Sequence, residues 1–308
     1  MMSSFPPAML NRILDIRMRN KLIFIIIAAV AFLGISSGEA SASLRLMSFN
    51  VRYNTPKDTG VLNWEVRKFA IQKFINEIRP DVVGVNEARA EMRKDLLTLL
   101  PDYEMIEIEG TGSGKGANAV IIYNPSTVKL LKNDWFFHSA TPKEPSMCWD
   151  VTTKQWRGTV WGLFKEKATG KKFYYFCTHL CLGLLPCDLE GKLNSSLLNL
   201  DMMQKEAGDK ATVFLVGDMN ATYLEDDERR WGLQPYYYWM KDARLTAPQT
   251  SDAITFNAFG KMEITRRHML DYIFYRNAEV LRFETYNEPL WGVPYISDHY
   301  PVMVTVNL

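Results

Sequence analysis

Short apolar runs alternate with helix-like stretches along most of the chain, and polar residues stand where the runs end. The runs lie in LRLMSFNVRY, DVVGVNEAR, KKFYYFCTHL, ATVFLVGDMNA, HMLDYIFY and YISDHYPVMV. Their apolar patterning and their length predict a β-strand in each. In the last run, Val302, Val304 and Val306 share one face of the strand, and Met303 and Thr305 lie on the other.

Two stretches between the strands carry the period of an α-helix. The first, over 64–78, is predicted from apolar residues at helical spacing, namely Phe69, Ile71, Phe74, Ile75 and Ile78. Pro80 follows it and marks a helix end. A second amphipathic stretch spans 91–100. Because strands and helices alternate without a linker or an internal repeat, we expect one α/β domain.

The polar residues at the strand ends are the candidate chemistry. They are Asn50, Asn86, Glu87, His179, Asp218, Asn220, Asp271, Asp298 and His299. A carboxylate at the edge of a core is costly unless it is paired, hydrogen-bonded or bound to a metal. Any one of these residues alone would be explained as a cap or a turn. Together they predict a shared functional edge, because α/β folds collect function at strand ends.

The residue types favour phosphate chemistry. Glu87 is a hard oxygen ligand of the kind that Mg²⁺ uses. Asp218 and Asn220 are two positions apart, so from an extended strand end they point the same way. One of them can orient a water while the other donates to a phosphoryl oxygen.

The two histidines suit different tasks. His299 can act as a base near neutral pH if a carboxylate fixes its tautomer, and Asp271 is the candidate partner. His179 can donate to charge that develops on phosphate. The chain has no G-x-S-x-G motif, and none of the Cys residues is flanked by an activating base, so covalent nucleophilic chemistry is not indicated.

The N-terminal 42 residues differ from the remainder. Arg17, Arg19 and Lys21 precede an apolar run from Leu22 to Leu33, and small residues follow up to Ala42. This order predicts a secretory signal over 1–42, a mature domain over 43–308 and export to the periplasm or the exterior. A membrane anchor is the alternative, but the run is shorter than the roughly 20 residues that a spanning helix needs.

Charge and cysteine usage limit the function classes. The chain has 36 Lys and Arg against 35 Asp and Glu, which gives no broad basic footprint for duplex nucleic acid. No protein partner is indicated. Cys177, His179 and Cys181 lack the paired C-x2-C spacing of structural zinc sites. A disulfide between Cys181 and Cys187 and free buried thiols both remain open.

Weaker signals have ordinary explanations. The stretch EGTGSGKGAN departs from the Walker pattern and precedes a strand, so we expect a hairpin loop. The aromatic cluster QPYYYWM is expected to pack in the core, with an aromatic wall for a sugar or lipid as the alternative. His138 and His268 are expected at the surface or in loops.

Six motifs resemble, in order, those of the endonuclease/exonuclease/phosphatase superfamily. They are MSFNVRY, DVVGVNE, CTHL, FLVGDMNA, LDYIFY and SDHYPV, and they run from residue 44 to the C-terminus. That superfamily includes DNase I-like nucleases, inositol-phosphate phosphatases and neutral sphingomyelinases, and the likeness is strongest to exported bacterial members. The resemblance implies a DNase I-like four-layer α/β/β/α sandwich, in which helices flank two packed mixed sheets.

The resemblance also implies a divalent-metal phosphoesterase site. Glu87 would ligate Mg²⁺, with Mn²⁺ as the alternative, and Asn50 and Asp298 would contribute directly or through water. The substrate would be a phosphate ester that is small, lipid-linked or part of a nucleic acid. Water would attack phosphorus in line.

The remaining roles follow the same motifs. His299, oriented by Asp271, would form a base-like dyad, and Asp218 would position or activate the attacking water. Asn220 would hold the phosphate, as would Asn50, and His179 would stabilise the transition state. Which of His299 and Asp218 takes the proton stays open.

Four departures from the family pattern concern the substrate rim. Asn86 stands where Gln is common, Cys181 where Asp is usual, and Met269 where Arg is common, and the Arg expected in the helix after CTHL is not evident. These departures spare the metal ligands and both histidines, so they concern which phosphate ester is bound more than hydrolysis itself. A secreted nuclease of the same fold and a non-catalytic binding module are therefore the alternatives to a phosphoesterase.

Overall fold

The computed structural model describes residues 43–108, 119–149, 155–182, 186–251, 253–288 and 291–308, without the side chains of residues 186 and 187. The predicted signal over 1–42, the glycine-rich stretch EGTGSGKGAN over 109–118 and the Cys187 side chain lie outside these residues. The export prediction and the Cys181–Cys187 alternative therefore remain predictions.

The first sheet contains seven strands. These are β1 (Leu44–Asn50), β2 (Val82–Asn86), β3 (Glu104–Glu107), β4 (Val120–Tyr123), β10 (Gln249–Thr250), β12 (Glu279–Thr285) and β13 (Val302–Asn307). Their order across the sheet is β10-β12-β13-β1-β2-β4-β3. Strand β1 pairs parallel with β2 and antiparallel with β13, so the sheet is mixed.

The second sheet contains six strands. These are β5 (Val128–Phe137), β6 (Gly158–Glu166), β7 (Lys172–His179), β8 (Thr212–Asp218), β9 (Lys241–Asp242) and β11 (Asp271–Arg276). Their order is β5-β6-β7-β8-β11-β9. Strands β7 and β8 are parallel, whereas β8 and β11 are antiparallel.

Helices cover the outer face of each sheet. The α-helices are α1 (Trp64–Ile78), α2 (Ala90–Leu99), α3 (Pro186–Ala207), α4 (Gln234–Trp239) and α5 (Ala243–Thr246), and short 3-10 turns lie at Gly60–Leu62, Glu228–Gly232, Ala258–Gly260 and Arg266–His268. Phe74 of α1 and Met92 of α2 pack with Val83 and Val85 of the first sheet. Met203 of α3 packs with the second sheet. Among the described residues, no helix combines the length and the apolarity needed to cross a membrane.

The two sheets pack face to face through a core between them. Val302, Val304 and Val306 lie in this core, as their alternation predicts. At Gly84 of β2 the sheets approach so closely that a Cβ would lie 2.5 Å from Val216 Cγ2 and 2.9 Å from the sulfur of Cys177. The expected four-layer α/β/β/α sandwich is therefore confirmed.

Helix α1 has the predicted bounds, but Phe69, one of the apolar residues at helical spacing, does not lie in the core. The Asn63 side chain accepts a hydrogen bond from the Glu65 N–H at 2.9 Å and caps the start, and Arg79 ends the helix in the left-handed region. Phe69 is 48% exposed. It lies two residues before the buried Ile71, which places it on nearly the opposite face of a helix.

The aromatic cluster packs largely in the core, as expected. Tyr236 and Trp239 of α4 are buried in the cluster that lines the outer face of the second sheet, whereas Tyr238 is 86% exposed. Because α4 is helical, its aromatic side chains cannot all point to one side.

Candidate active site

Strand register brings the predicted site residues to one end of the sandwich. In the first sheet, Asn50 lies opposite Asn86 at the ends of the parallel strands β1 and β2. In the second sheet, His179 lies opposite Asp218 at the ends of β7 and β8, and Asp271 at the start of β11 is also opposite Asp218. A hydrogen bond from Asn50 Nδ2 to Asp218 Oδ2, 3.0 Å long, joins the two sheets.

Asp218 is the centre of this group. Its Oδ1 accepts a hydrogen bond from the Asn220 N–H at 2.8 Å. Besides the Asn50 amide, its Oδ2 has His179 Nε2 at 3.4 Å and His299 Nε2 at 3.6 Å. Burial opposes ionisation, but the two histidines and the Asn220 N–H together hold the pKa of Asp218 well below its usual range. Asp218 is therefore a carboxylate that can orient a water.

A glycine and a left-handed residue shape the backbone around Asp218. At Gly217, with φ of 143°, a Cβ would lie 1.8 Å from the carbonyl oxygen of Thr178, so only glycine fits. Asn220 has φ of 46°, and its Nδ2 donates to the Leu180 carbonyl at 3.0 Å. The buried Lys192 ammonium of α3 donates to the Asn220 carbonyl and, at 3.0 Å, to that of Leu182. The Lys192 ammonium thus holds the turn at Asn220 in place.

His299 and Asp271 form the expected dyad. His299 Nδ1 lies 2.7 Å from Asp271 Oδ2, and the Asp271 N–H donates to Thr255 Oγ1 at 3.0 Å. Burial disfavours the charged ring, but the carboxylates of Asp271 and Asp218 outweigh it and raise the pKa of His299 to about 10. The ring therefore carries both protons at neutral pH. In this state the ring donates a hydrogen bond, and the base role expected from the sequence stays a prediction.

Glu87 and Asp298 form a second, acidic part of the site. Glu87 follows β2 with φ of 65°, and its Oε2 accepts from the Tyr53 N–H at 2.9 Å. Asp298 is 7% exposed, and its Oδ2 lies 3.5 Å from Arg52 Nη1. Burial raises the pKa of Asp298 to about 6, and the charge of Glu87 adds to this rise although His299 and Arg52 oppose it.

These oxygen donors fit a hard divalent cation. Two carboxylates that act on one another, with the Asn50 amide nearby, are the ligand type that Mg²⁺ prefers, and a cation would relieve their repulsion. Among the described residues, Asp218, Asp271 and His299 also offer ligand atoms within 4.8 Å of one another. That trio is a poorer metal site, because Asp271 and the protonated His299 are hydrogen-bonded to each other.

Arg67 ties together the backbone around the acidic residues. This buried arginine of α1 donates through Nη1 to the carbonyls of Val51 at 2.7 Å and Ile296 at 3.0 Å. Its Nη2 donates to the Arg52 carbonyl at 3.1 Å, and its Nε to that of Leu62 at 2.7 Å. Burial lowers the pKa of Arg67 to about 10, so it stays charged at neutral pH. It holds the segments that flank Asn50 and Asp298.

Comparison with known proteins shows which family the chain resembles. The model of the Endonuclease/Exonuclease/phosphatase family matches residues 199–299. A Bacteroides vulgatus structure described as an endonuclease/exonuclease/phosphatase is 28% identical, with 87% of this chain and 99% of that chain covered and a TM-score of 0.75. The chain therefore resembles the endonuclease/exonuclease/phosphatase family, in sequence over residues 199–299 and in structure over 87% of its length.

Other solved structures of the family extend this likeness. A mannosyl-6-phosphatase of Bacteroides thetaiotaomicron is 25% identical, covers 86% of this chain and 100% of its own, and has a TM-score of 0.73. The TDP2 protein of D. rerio, solved with a single-stranded DNA product, is 21% identical over 87% of this chain and 100% of its own, with a TM-score of 0.64, and shows the fold alone. No curated protein matches the chain.

The likeness to this family indicates the reaction class. Its members hydrolyse phosphate esters and generally depend on a divalent metal. The chain is accordingly a hydrolase that acts on phosphate ester bonds.

The departures from the family pattern have structural counterparts. Asn86, in place of Gln, accepts from the Asp218 N–H at 2.8 Å and donates to the Thr178 carbonyl at 3.1 Å, so it joins the sheets. Cys181 and Met269 are buried, the latter in the core beside the second sheet. Lys192 occupies the helix in which an arginine was expected, and it is the cation that contacts the Asn220 turn.

Sequence reasoning missed Arg157. His138 was expected at the surface or in a loop; it lies in the loop after β5 but is fully buried, with Nε2 2.9 Å from Thr159 Oγ1. Burial, together with the charge of Arg157, lowers the pKa of His138 to about 3. Arg157 Nη1 lies 2.7 Å from His179 Nδ1. The sequence holds no signal for this contact, because it depends on the register of β6 against β7, in which Thr159 pairs with Thr178.

Proposed function

We propose that the protein is a Mg²⁺-dependent phosphoesterase that hydrolyses a phosphomonoester or phosphodiester by in-line attack of water. The observation that carries this proposal is the convergence of Asn50, His179 and His299 within 3.0 to 3.6 Å of one oxygen of Asp218. Such an ionised carboxylate surrounded by donors suits a water and a phosphoryl group lying side by side.

Each half of the site has its own task in this proposal. Asp218 orients the attacking water. His299, held charged by Asp271, donates to a phosphoryl oxygen, and Asn220 and His179 hold the phosphate beside it. These donors stabilise the charge that develops in the transition state.

The acidic residues serve the metal. Glu87 and Asp298 would hold Mg²⁺, or Mn²⁺ in its place, with Asn50 contributing directly or through water. The cation, when bound, neutralises charge on the phosphoryl oxygens. Arg67 and the Tyr53 N–H keep these ligands in position.

A sugar phosphate or another small or lipid-linked phosphate ester is the favoured substrate. The near balance of 36 basic and 35 acidic residues lacks the positive charge that duplex nucleic acid attracts. The 25% identity to a mannosyl-6-phosphatase supports the same class. We also propose export to the periplasm or the exterior, on the basic, apolar and small residues of the segment 1–42.

A substrate panel tests the proposed function. Protein spanning 43–308 is assayed on mannose 6-phosphate, p-nitrophenyl phosphate, bis-p-nitrophenyl phosphate and single-stranded DNA, with Mg²⁺, Mn²⁺ or a chelator. We expect turnover of the small esters only with metal. In His299→Ala and Glu87→Gln we expect kcat/KM to fall by about 10²- to 10⁴-fold.

The control is Glu91→Gln, which changes an exposed carboxylate just beyond Glu87 and should leave turnover intact. Preference for DNA would favour the secreted nuclease. Failure to hydrolyse any ester would favour the non-catalytic binding module, and full activity in His299→Ala would refute the role proposed for His299.

A further inference from the structure

The two ring nitrogens of His179 have partners of unequal strength. Nδ1 lies 2.7 Å from Arg157 Nη1. Nε2 lies 3.1 Å from Asn220 Nδ2 and 3.4 Å from Asp218 Oδ2. His179 is fully buried, so these contacts determine where its proton is held.

The guanidinium decides the tautomer. Arginine has five N–H donors, no acceptor, and a charge that it does not lose in proteins. Nδ1 of His179 must therefore accept, and the single proton of a neutral ring lies on Nε2. A proton on Nδ1 would place an N–H against an N–H at 2.7 Å.

The Asn220 contact points the other way but is weaker. Its Nδ2 donates to the Leu180 carbonyl at 3.0 Å, which fixes the orientation of the amide. The N–H of a neutral ring must then point at another donor. That donor is either the charged guanidinium, 2.7 Å from Nδ1, or the neutral amide, 3.1 Å from Nε2. The longer, uncharged contact is the less costly one, because charge-assisted hydrogen bonds are the stronger class.

Arg157 is itself held in place. It is 9% exposed, its Nη2 donates to Gln155 Oε1 at 2.5 Å, and its carbonyl accepts from the His138 N–H at 2.9 Å. Burial, with the charge of Arg157 adding to it, lowers the pKa of His179. The ring is neutral beside a fixed cation.

The second histidine of the site has the opposite arrangement. His299 Nδ1 faces the Asp271 carboxylate at 2.7 Å, at the same distance at which His179 Nδ1 faces a guanidinium. Both rings present Nε2 to the same oxygen of Asp218. The site therefore has one charged and one neutral histidine, each determined by the residue behind it.

We infer that Arg157 is a positioning residue that fixes His179 as the neutral Nε2–H tautomer, so that His179 donates a hydrogen bond to a phosphoryl oxygen and transfers no proton. This inference rests on the proposed function for the identity of the acceptor. The tautomer itself follows from the contacts alone.

Ring ¹⁵N NMR of protein labelled with [¹⁵N]histidine tests the inference, with His179→Gln to assign the signals. In the unsubstituted protein we expect His179 to show a protonated Nε2 and an unprotonated Nδ1. In Arg157→Gln we expect a mixture of tautomers and a kcat lower by about 100-fold, with KM changed less than about threefold. Arg157→Lys keeps a cationic donor and should restore the Nε2–H tautomer.

Arg244→Gln is the matched control, because Arg244 is equally buried but lies on α5, beside Asp242. It should leave the His179 signals unchanged. A proton on Nδ1 in the unsubstituted protein would overturn the inference even if Arg157→Gln failed to fold. So would an unaltered tautomer in Arg157→Gln. The signals are read without turnover, so an inactive protein would count against the proposed function and not against this assignment.

Discussion

At the scale of single residues, neighbouring groups in the site keep one another in their charged states. Asp218 remains ionised because His299, His179 and the Asn220 N–H surround it. His299 remains charged because Asp271 lies behind it. Each group is thus prepared before substrate arrives, which is the condition under which buried dipoles and charges accelerate a reaction most.

The dyad gives a prediction at this scale. Asp271→Asn keeps the size of the side chain but removes the charge that holds the His299 proton. We expect kcat to fall by about 10²- to 10⁴-fold, because the ring loses its charge and the carboxylate that orients it. Steady-state kinetics on p-nitrophenyl phosphate measures the effect.

Asp242→Asn provides the comparison, since Asp242 is an equally buried carboxylate on the neighbouring strand β9. It should lower the thermal midpoint while kcat stays within about twofold, as expected for a change outside the site. Equal losses of kcat in the two variants would show that Asp271 acts only through stability.

At the scale of elements, helix α1 contributes to the site although none of the proposed catalytic residues or ligands lies on it. Arg67 spans from the helix to the carbonyls of Val51, Arg52 and Ile296. These belong to the segment after β1 and to the segment before Asp298, which are distant in sequence. The helix therefore sets the spacing between the two sources of metal ligands.

A substitution in α1 tests this role. Arg67→Met leaves the four carbonyls without their donor, and we expect the affinity for Mg²⁺ to fall by about 10- to 100-fold, as when other residues that support ligands are changed. Arg67→Lys, which keeps some donors, should lose less. Calorimetric titration with Mg²⁺ in the absence of substrate measures the affinity directly.

Lys73→Met changes an exposed cation on the same helix and serves as the control. It should bind Mg²⁺ as the unsubstituted protein does. If Arg67→Met bound Mg²⁺ equally well, α1 would have only a packing role.

Patterns of single elements could be predicted from the sequence, whereas contacts between elements could not. The spacing of apolar residues predicted where α1 begins and ends. The positions of Asn50, Glu87, His179 and Asp218 at strand ends predicted that they share one edge of the fold. Arg67 has the helical spacing of a core position, but its charge gives no indication that it is buried. Its role depends on carbonyls contributed by two distant segments.

Arg157 and His138 escaped prediction for a related reason. Each lies at the end of a strand in the second sheet, and each acts on a partner in a neighbouring strand. Only the register of β6 against β7 shows that Arg157 reaches His179. Phe69 is a different case. It was grouped with the apolar residues of α1 because the helical spacing was applied loosely, although it lies on the opposite face of the helix.

At the scale of the whole molecule, the catalytic set is divided between the two sheets. The first sheet and its connections supply Asn50, Glu87 and Asp298, and the second supplies His179, Asp218 and Asp271. Hydrogen bonds between Asn50 and Asp218 and between Asn86 and Asp218 join the two sheets. The distance between metal ligands and water-orienting carboxylate therefore depends on how the sheets pack.

The export proposal is also a statement about the whole chain. When the full chain is expressed in a bacterial host, we expect a mature protein in the periplasm or the medium whose N-terminus is Ser43 or Ser41, because cleavage is expected after Ala42 or Ala40. N-terminal sequencing of the fractionated protein measures this. Intact Met1 on protein in the membrane fraction would instead support an anchor.

The pairing of β1 with β13 places Leu44 opposite Val306, so the first strand of the fold can form this pair only after the last strand has been synthesised. A ribosome releases the N-terminal strand long before its partner, and Asp298 and His299 leave with that late partner. A nascent chain stopped anywhere before Ser297 would thus lack strand β13, which lies between β12 and β1, and would also lack Asp298 and His299. Phosphoester hydrolysis therefore requires that β13 has been synthesised and has paired with β1.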